Sequence, residues 1–245
     1  FGFKAEVPDG HRLRNPNLGG GAILDVGCYP LTMCKLIAGH LQGLPFADPL
    51  SLEAEGALDD TGVDLKSNAH LIFADNIEAK ISCAINEELS NNLVISSNSK
   101  SITISEPWHC GQFQDGQSSI VLADSNGAHR EIKVSDGVGL FTREIEHAAD
   151  SILNKDLESH LISHADTQSN MFWLDQWREE MKIDCPKNYL KNSPILKSNA
   201  FIGRSASLEN RGIPGLNKLG SRLALGCDNQ TSDLHAFTMF DHFYG

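Results

Sequence analysis

The 245 residues carry 20 Lys and Arg against 32 Asp and Glu, a formal charge of −12, with 40% hydrophobic and 21% charged residues. That length and apolar share allow one large domain, or one domain with an appendage, around a sizeable core. The acidic balance argues against nucleic acid or anionic membrane as the main partner, and no apolar run approaches the roughly 18–20 residues of a membrane span.

The chain opens FGFKAEVPDG, a strand-like run over 1–7 with neither the basic flank nor the apolar stretch of a signal peptide. Phe1 and Phe3 stand inside an element already, and the closing MFDHFYG stops in mid-helix, so both ends read as cuts through a longer polypeptide. HRLRNPNLGGG (11–21) is a Pro/Gly-rich loop. A helix follows over 22–39, its apolar face marked by Ile23, Leu24, Cys28, Leu31, Cys34 and Leu36 or Ile37, with Gly39 as C-cap. Pro30 bends that helix or sets its first turn apart from the body. The six cysteines form no CxxC pair, which suits buried free thiols in a reducing compartment, here the cytoplasm.

From about 50 to 134 the period changes to two. LSLEAEGALDD, DLKSNAHLIFAD, IEAKISCAI, NLVISSNS, KSITISE, SSIVLAD and HREIKVS alternate apolar with polar residues, separated by turn residues such as Asp59-Asp60-Thr61-Gly62, Asp75-Asn76, Asn98-Ser99 and Ser125-Asn126-Gly127. Short strands joined by tight turns predict an antiparallel meander with one covered face. Two helices supply the cover. FTREIEHAADSILN (141–154) places Phe141, Ile145, Ala148 or Ala149, and Ile152 on one stripe. SHADTQSNMFWLDQWREEM (163–181) starts with Ser163 as N-cap and Asp166 closing a capping box, and it buries Met171, Leu174 and Trp177 or Met181. Trp173 and Trp177 read as packing residues. The fold class is α+β: an open, mostly antiparallel sheet with helices packed on one face.

Past Pro186 the texture becomes rich in Ser, Asn, Gly and Lys, a linker over 189–216. Residues 217–245 then read as a strand (Arg222–Leu225) and a helix from Ser232 or Asp233, with Ala236, Met239, Phe240 and Phe243 apolar. One βα unit cannot bury that face, so this is the opening of a second domain.

The chemistry gathers in GGGAILDVGCYPLTM (19–33). Asp25 and Tyr29 stand at i and i+4, on one side of a helix. Gly19, Gly20 and Gly21 permit positive φ and let another backbone or a flat ligand come close. Two readings stand. In one, Asp25 stabilises its own helix dipole and Tyr29 packs half-buried. In the other, Tyr29 exchanges a proton with a substrate hydroxyl or carbonyl while Asp25 orients it. Trp108-His109-Cys110 has the look of a metal corner, but no second His or Cys lies at ligand spacing, so packing is expected there and no metal.

GGGAILDVGCYPLTMCKLIAG resembles the GGGALxDxGxY/H segment of the glucose–fructose oxidoreductase/inositol dehydrogenase-like family (Gfo/Idh/MocA), in its C-terminal domain. Tyr at position 29 is most similar to the dihydrodiol dehydrogenase and glucose–fructose oxidoreductase branch. LFTREIEHAADSILN and HADTQSNMFWLDQWR resemble the two C-terminal helices of that domain, so the likeness runs over about 1–185 in consistent order. It implies the substrate and catalytic domain (1–188) of an oxidoreductase using NADP or NAD, with a small hydroxylated substrate and a homo-oligomer formed through the sheet. Asp25 and Tyr29 fall on the substrate-site pair, Tyr29 as acid/base. Arg12 or Arg14 would contact substrate or cofactor, and Gly19, Gly20 and Gly21 would allow close approach to the cofactor. The family's GxGxxG fingerprint and Glu-Lys-Pro motif, with its lysine, do not occur here, so this chain alone is expected to bind dinucleotide poorly and not to turn over. LGSRLALGCDNQTSDLHAFTMFDHF is similar to the first strand and helix of an aldo/keto reductase barrel, which implies a fusion. The reading from a different class is a non-catalytic sheet module for dimerisation or carbohydrate binding.

Overall fold

The computed structural model describes residues 1–8, 10–109, 117–135 and 137–183. The expected linker, the strand and helix after it, and Cys110 lie outside the described residues. The chain divides into two units, Phe1–Asn15 with Gly19–Ile183, and Pro16–Leu18 with Asp184–Gly245; the first carries every element below.

All seven alternating segments form strands, and all pair antiparallel. β1 (Ser51–Leu58), β2 (Asp64–Ile72) and β3 (Glu78–Ala84) make a three-stranded sheet in that order. β4 (Asn92–Ser96), β5 (Lys100–Ser105), β6 (Gln117–Asp124) and β7 (His129–Ser135) make a four-stranded one. The fold is therefore α+β as the period-two pattern indicates, but the meander divides between β3 and β4. There the chain turns inward: Ile85 is fully buried and its N–H reaches back to Leu65 O at 3.0 Å. Asn91 then takes φ +48° and spends its side-chain amide on both backbone groups of Gly2, at 2.8 and 3.0 Å. This clamps the segment 1–5 beside the end of β3, where it makes bridges at Gly2 and Lys4 rather than the expected seven-residue strand.

The hairpin turns follow from their residues. Asp75 and Asn76 sit at φ +59° and +57° between β2 and β3, a conformation Asn and Asp tolerate best among residues with a Cβ. Asp59 folds the β1–β2 turn over its own side chain, accepting from Thr61 N at 2.7 Å and Thr61 Oγ1 at 2.6 Å.

Helices cover one face of the first sheet. The expected helix at 22–39 begins with a π turn, Ile23–Gly27, and continues as α1 (Cys28–Leu41). Pro30 has no N–H to give and its ring crowds the carbonyl four residues back, so the turn before it widens. The stretch Pro16–Leu41 is in fact long and apolar enough to cross a bilayer by length and composition, which corrects the expectation that no such run exists; more than half of it is buried. α3 (His164–Glu180) starts with the anticipated capping box, Ser163 Oγ accepting from Asp166 N at 3.1 Å and Asp166 accepting from Ser163 N at 2.9 Å. It buries Leu174, Trp177 and Met181 against the sheet. Trp177 is wholly enclosed and donates its indole N–H to Ser67 Oγ at 2.8 Å, while that hydroxyl donates to Glu55 O at 3.1 Å. Burying so large a ring with its one polar atom satisfied contributes on the order of 4–6 kcal/mol before entropy is counted. Lys35 ties α1 to α3 from the interior, its Nζ 2.6 Å from Ser169 Oγ and 3.1 Å from Asp48 Oδ1. Burial pulls the Lys35 pKa down, and the Asp48 charge opposes this.

α2 (Thr142–Asn154) departs from expectation. The sequence pattern turns the stripe of Phe141, Ile145, Ala148 or Ala149, and Ile152 inward, yet the helix has no buried residue, and Ile145 and Ile152 are 67% and 74% exposed. The amphipathic pattern is real, but among the described residues nothing covers its apolar side.

Candidate functional site

The site is built on the start of the helix. Ala22, the residue before the π turn, offers no side-chain cap. The cap comes instead from β2: Asp64 Oδ2 accepts Ile23 N–H at 2.6 Å. Asp64 is 1% exposed. Burial raises its pKa from the ordinary carboxylate range to about 7, against the pull of the Ile23 N–H and the Arg178 charge. Period-two reading could not place this residue inward. The β1–β2 register slips between Ala57 and Leu58, so Ala57 faces Lys66 but Leu58 faces Asp64, and Asp64 leaves the alternation that buries Ser67, Ala69 and Leu71.

The three glycines fit this arrangement closely. Gly21 has φ +110°, and a Cβ on it would lie 2.1 Å from Asp64 Oδ1; a Cβ on Gly20 would lie 2.6 Å from Leu13 O and 2.7 Å from Arg12 O. The close approach anticipated for Gly20 and Gly21 is thus made by the chain itself. Gly21 N donates to Leu13 O at 3.0 Å, and Gly21 O accepts from Asp25 N at 3.2 Å, so the loop and the helix start hang from one residue.

Asp25 and Tyr29 lie on this continuous helix, Asp25 in the π turn and Tyr29 on the first turn of α1. Asp25 is ion-paired with Arg12, Nη1 to Oδ1 at 2.9 Å, with the carboxylate side chain 10% exposed and the arginine 33%. Arg12 belongs to a short 3-10 turn, Arg12–Arg14, whose N-cap His11 accepts Leu13 N–H on Nδ1 at 3.2 Å. Arg14 points elsewhere, to Asp59 Oδ2 at 2.9 Å and Asp60 Oδ1 at 2.5 Å, and holds the β1–β2 turn. Of the two loop arginines, Arg12 is the one brought to Asp25. Tyr29 is half-buried in an aromatic cluster, its ring centroid 5.4 Å from Phe1 and 6.3 Å from Trp108, both edge-on. Trp108 and His109 join that cluster through Phe1 at 6.1 and 5.1 Å, and His109 Nδ1 lies 3.2 Å from Glu106.

The remaining reactive groups are quiet. Burial raises the thiol pKa of Cys28, with the Asp25 charge adding to the effect, and of Cys83; it pushes Cys34 up to about 12. Thiols so protonated are poor nucleophiles. A cavity of about 630 Å³ lies between the edges of β3 and β4, walled by Phe1, Pro30, Phe73, Ile81 and Trp108. Arg12, Asp25 and Tyr29 are not among its lining residues.

The dinucleotide implied by the resemblance finds no phosphate cradle among the described residues. The space beside Gly20 and Gly21 is filled, and the helix N-terminus, the usual place for a pyrophosphate, already holds the Asp64 carboxyl group.

No family model matches the chain. Its relatives are nevertheless oxidoreductases. It is 27% identical over 194 residues to the trans-1,2-dihydrobenzene-1,2-diol dehydrogenase of Xenopus tropicalis, covering 75% of this chain and 54% of that one. To the enzyme of the same name from Sus scrofa it is 23% identical over 172 residues, covering 69% and 49%. The chain spans about half the length of the curated relatives it matches. Among solved structures, the aldose-aldose oxidoreductase from Caulobacter crescentus, complexed with glycerol, superposes with TM-score 0.58 at 19% identity over 74% of this chain and 51% of that one. KijD10, a 3-ketoreductase from Actinomadura kijaniata in complex with NADP and TDP-benzene, does so with TM-score 0.57 at 18% identity over 74% and 52%. At such identity the structural likeness establishes the fold alone.

Proposed function

We propose that this chain supplies the substrate side of an NAD(P)-dependent oxidoreductase acting on a hydroxyl or carbonyl carbon of a sugar, polyol or dihydrodiol. The observation that carries the reading is the ion-paired Asp25 one helical turn from Tyr29. Arg12 holds the Asp25 carboxylate by a charge-assisted hydrogen bond, and the carboxylate so held orients a substrate hydroxyl. Tyr29 O–H gives its proton to the oxygen of a carbonyl being reduced, or takes one from an alcohol being oxidised. The aromatic rings around Tyr29 limit its rotation and exclude water from one side. The nicotinamide group, when bound, supplies or accepts the hydride. The relatives' names and the NADP in the KijD10 complex support this cofactor class.

The test is Tyr29→Phe in the whole protein, assayed with NADPH or NADH against aldoses, inositols and aromatic dihydrodiols. Loss of turnover by a factor of about 100 or more, with substrate affinity kept, is expected. An unchanged rate overturns the role of Tyr29.

The α2 stripe, which no described residue covers, favours a second contribution, association of two copies through this face. Sedimentation of Ile145→Asp against the parent chain tests it: the variant is expected to shift toward monomer.

A further inference from the structure

We propose that Asp64 is a positioning residue of the acid/base site, holding from β2 the helix turn on which Asp25 sits. The proposal rests on the reading of Asp25 and Tyr29 as the reacting pair. Three observations on separate elements support it. The Asp64 carboxyl group takes the first free N–H of the helix, Ile23, at 2.6 Å from a position 41 residues away. Gly21 presses its bare Cα against the same group, where any side chain would collide. The first bond inside the turn, Asp25 N to Gly21 O at 3.2 Å, therefore starts from a residue already fixed by Asp64 on one side and by Leu13 O on the other. A helix start is ordinarily free to fray, since its N–H groups have no partners within the helix. Here the fraying end carries Asp25, and a turn that unwinds takes Asp25 away from Arg12 and out of line with Tyr29. No local capping residue does this work, because Ala22 has no side-chain acceptor.

Asp64→Asn tests the proposal with little change in shape. At pH 8, where the Asp64 group is ionised and both its oxygens accept, the amide keeps one acceptor but turns an NH2 group toward the backbone N–H donors of the turn. In this chain, amide hydrogen exchange at Ile23, Leu24 and Asp25 is expected to accelerate about tenfold, the population change for one buried hydrogen bond lost. Exchange at Ile81 and Cys83 in β3 is expected to stay within about twofold. Rates at 23–25 unchanged, or β3 accelerating equally, overturn it. In the whole protein the same variant is expected to lower kcat about tenfold with KM within about twofold, since the group touches no substrate; an unchanged kcat overturns the link to the site. Should the unaltered whole protein reduce or oxidise none of the substrates above, the functional reading fails, while the exchange experiment still decides whether Asp64 holds the turn.

Discussion

Arg12 Nη1 meets Asp25 Oδ1 at 2.9 Å, and the same Arg12 offers its backbone carbonyl to the bare Cα of Gly20. One residue thus holds the carboxylate through its side chain and leaves no room for a side chain at position 20 through its backbone. The side-chain tie is a partly exposed ion pair, which is worth no more than about 1 kcal/mol of stability. Its weight falls on orientation. Arg12→Met is expected to change the unfolding free energy of the chain by less than about 1 kcal/mol, yet to slow turnover of the whole protein by about 10- to 100-fold. Steady-state kinetics beside urea titration checks this, and full activity with Met at position 12 would remove Arg12 from the site.

Gly21 and Gly19 separate strain from collision. Both have positive φ, +110° and +70°, but a Cβ on Gly21 would meet Asp64 Oδ1 at 2.1 Å, whereas one on Gly19 would touch only Leu24 Cδ1 at 3.4 Å. Gly19→Ala carries the conformational cost alone, about 1 kcal/mol. Gly21→Ala must also displace a buried carboxyl group and is expected to cost about 3 kcal/mol or more. Equal costs, measured by urea unfolding, would mean that the turn gives way easily.

The parts of this fold that repeat were legible, and the parts that depend on one slipped register were not. Alternation marked all seven strands, because apolar residues recur at nearly every second position between turn residues. The capping box at Ser163 was readable since both partners lie three residues apart. Asp64 escaped because the slip beside Leu58 turns it inward against the pattern. The Arg12–Asp25 pair escaped because its geometry depends on a 3-10 turn and a π turn, neither of which leaves a period in the sequence. The division into two sheets falls where Asn91 clamps Gly2, a contact across 89 positions. The amphipathic stripe of α2 was visible, but a stripe says only that an apolar side exists, not what meets it.

Trp177 and Trp173 illustrate how little residue type alone reveals. Trp177 is fully buried with its N–H on Ser67, while Trp173 is half-buried beside Phe172 at 5.3 Å. Trp177→Phe loses ring volume and the indole donor, although Ser67 keeps its bond to Glu55 O. A loss of about 2–3 kcal/mol is expected, against less than about 1 for Trp173→Phe. Urea titration of both variants provides the comparison.

The pH dependence of stability follows from Asp64. Its folded pKa of about 7 stands above the unfolded value of 3.8, so between these two values the folded chain keeps a proton that the unfolded chain has released. Stability therefore falls as pH rises through that window, and the ionised carboxylate is a cost to the fold above it. The charges facing it from neighbouring elements work in opposite directions: Arg178 on α3 favours the ionised form, and a thiolate at Cys83 on β3 would oppose it, but burial keeps that thiol protonated. Asp64→Asn cannot ionise. The stability of the Asn variant relative to the parent is therefore expected to rise from pH 4 to pH 7, with a slope of at most about 1.4 kcal/mol per pH unit, and to level off above. Urea unfolding of both proteins at half-unit pH intervals measures that difference. A difference that stays flat would place the Asp64 pKa at its unfolded value, and the Ile23 N–H and Arg178 would then offset the desolvation of the carboxyl group.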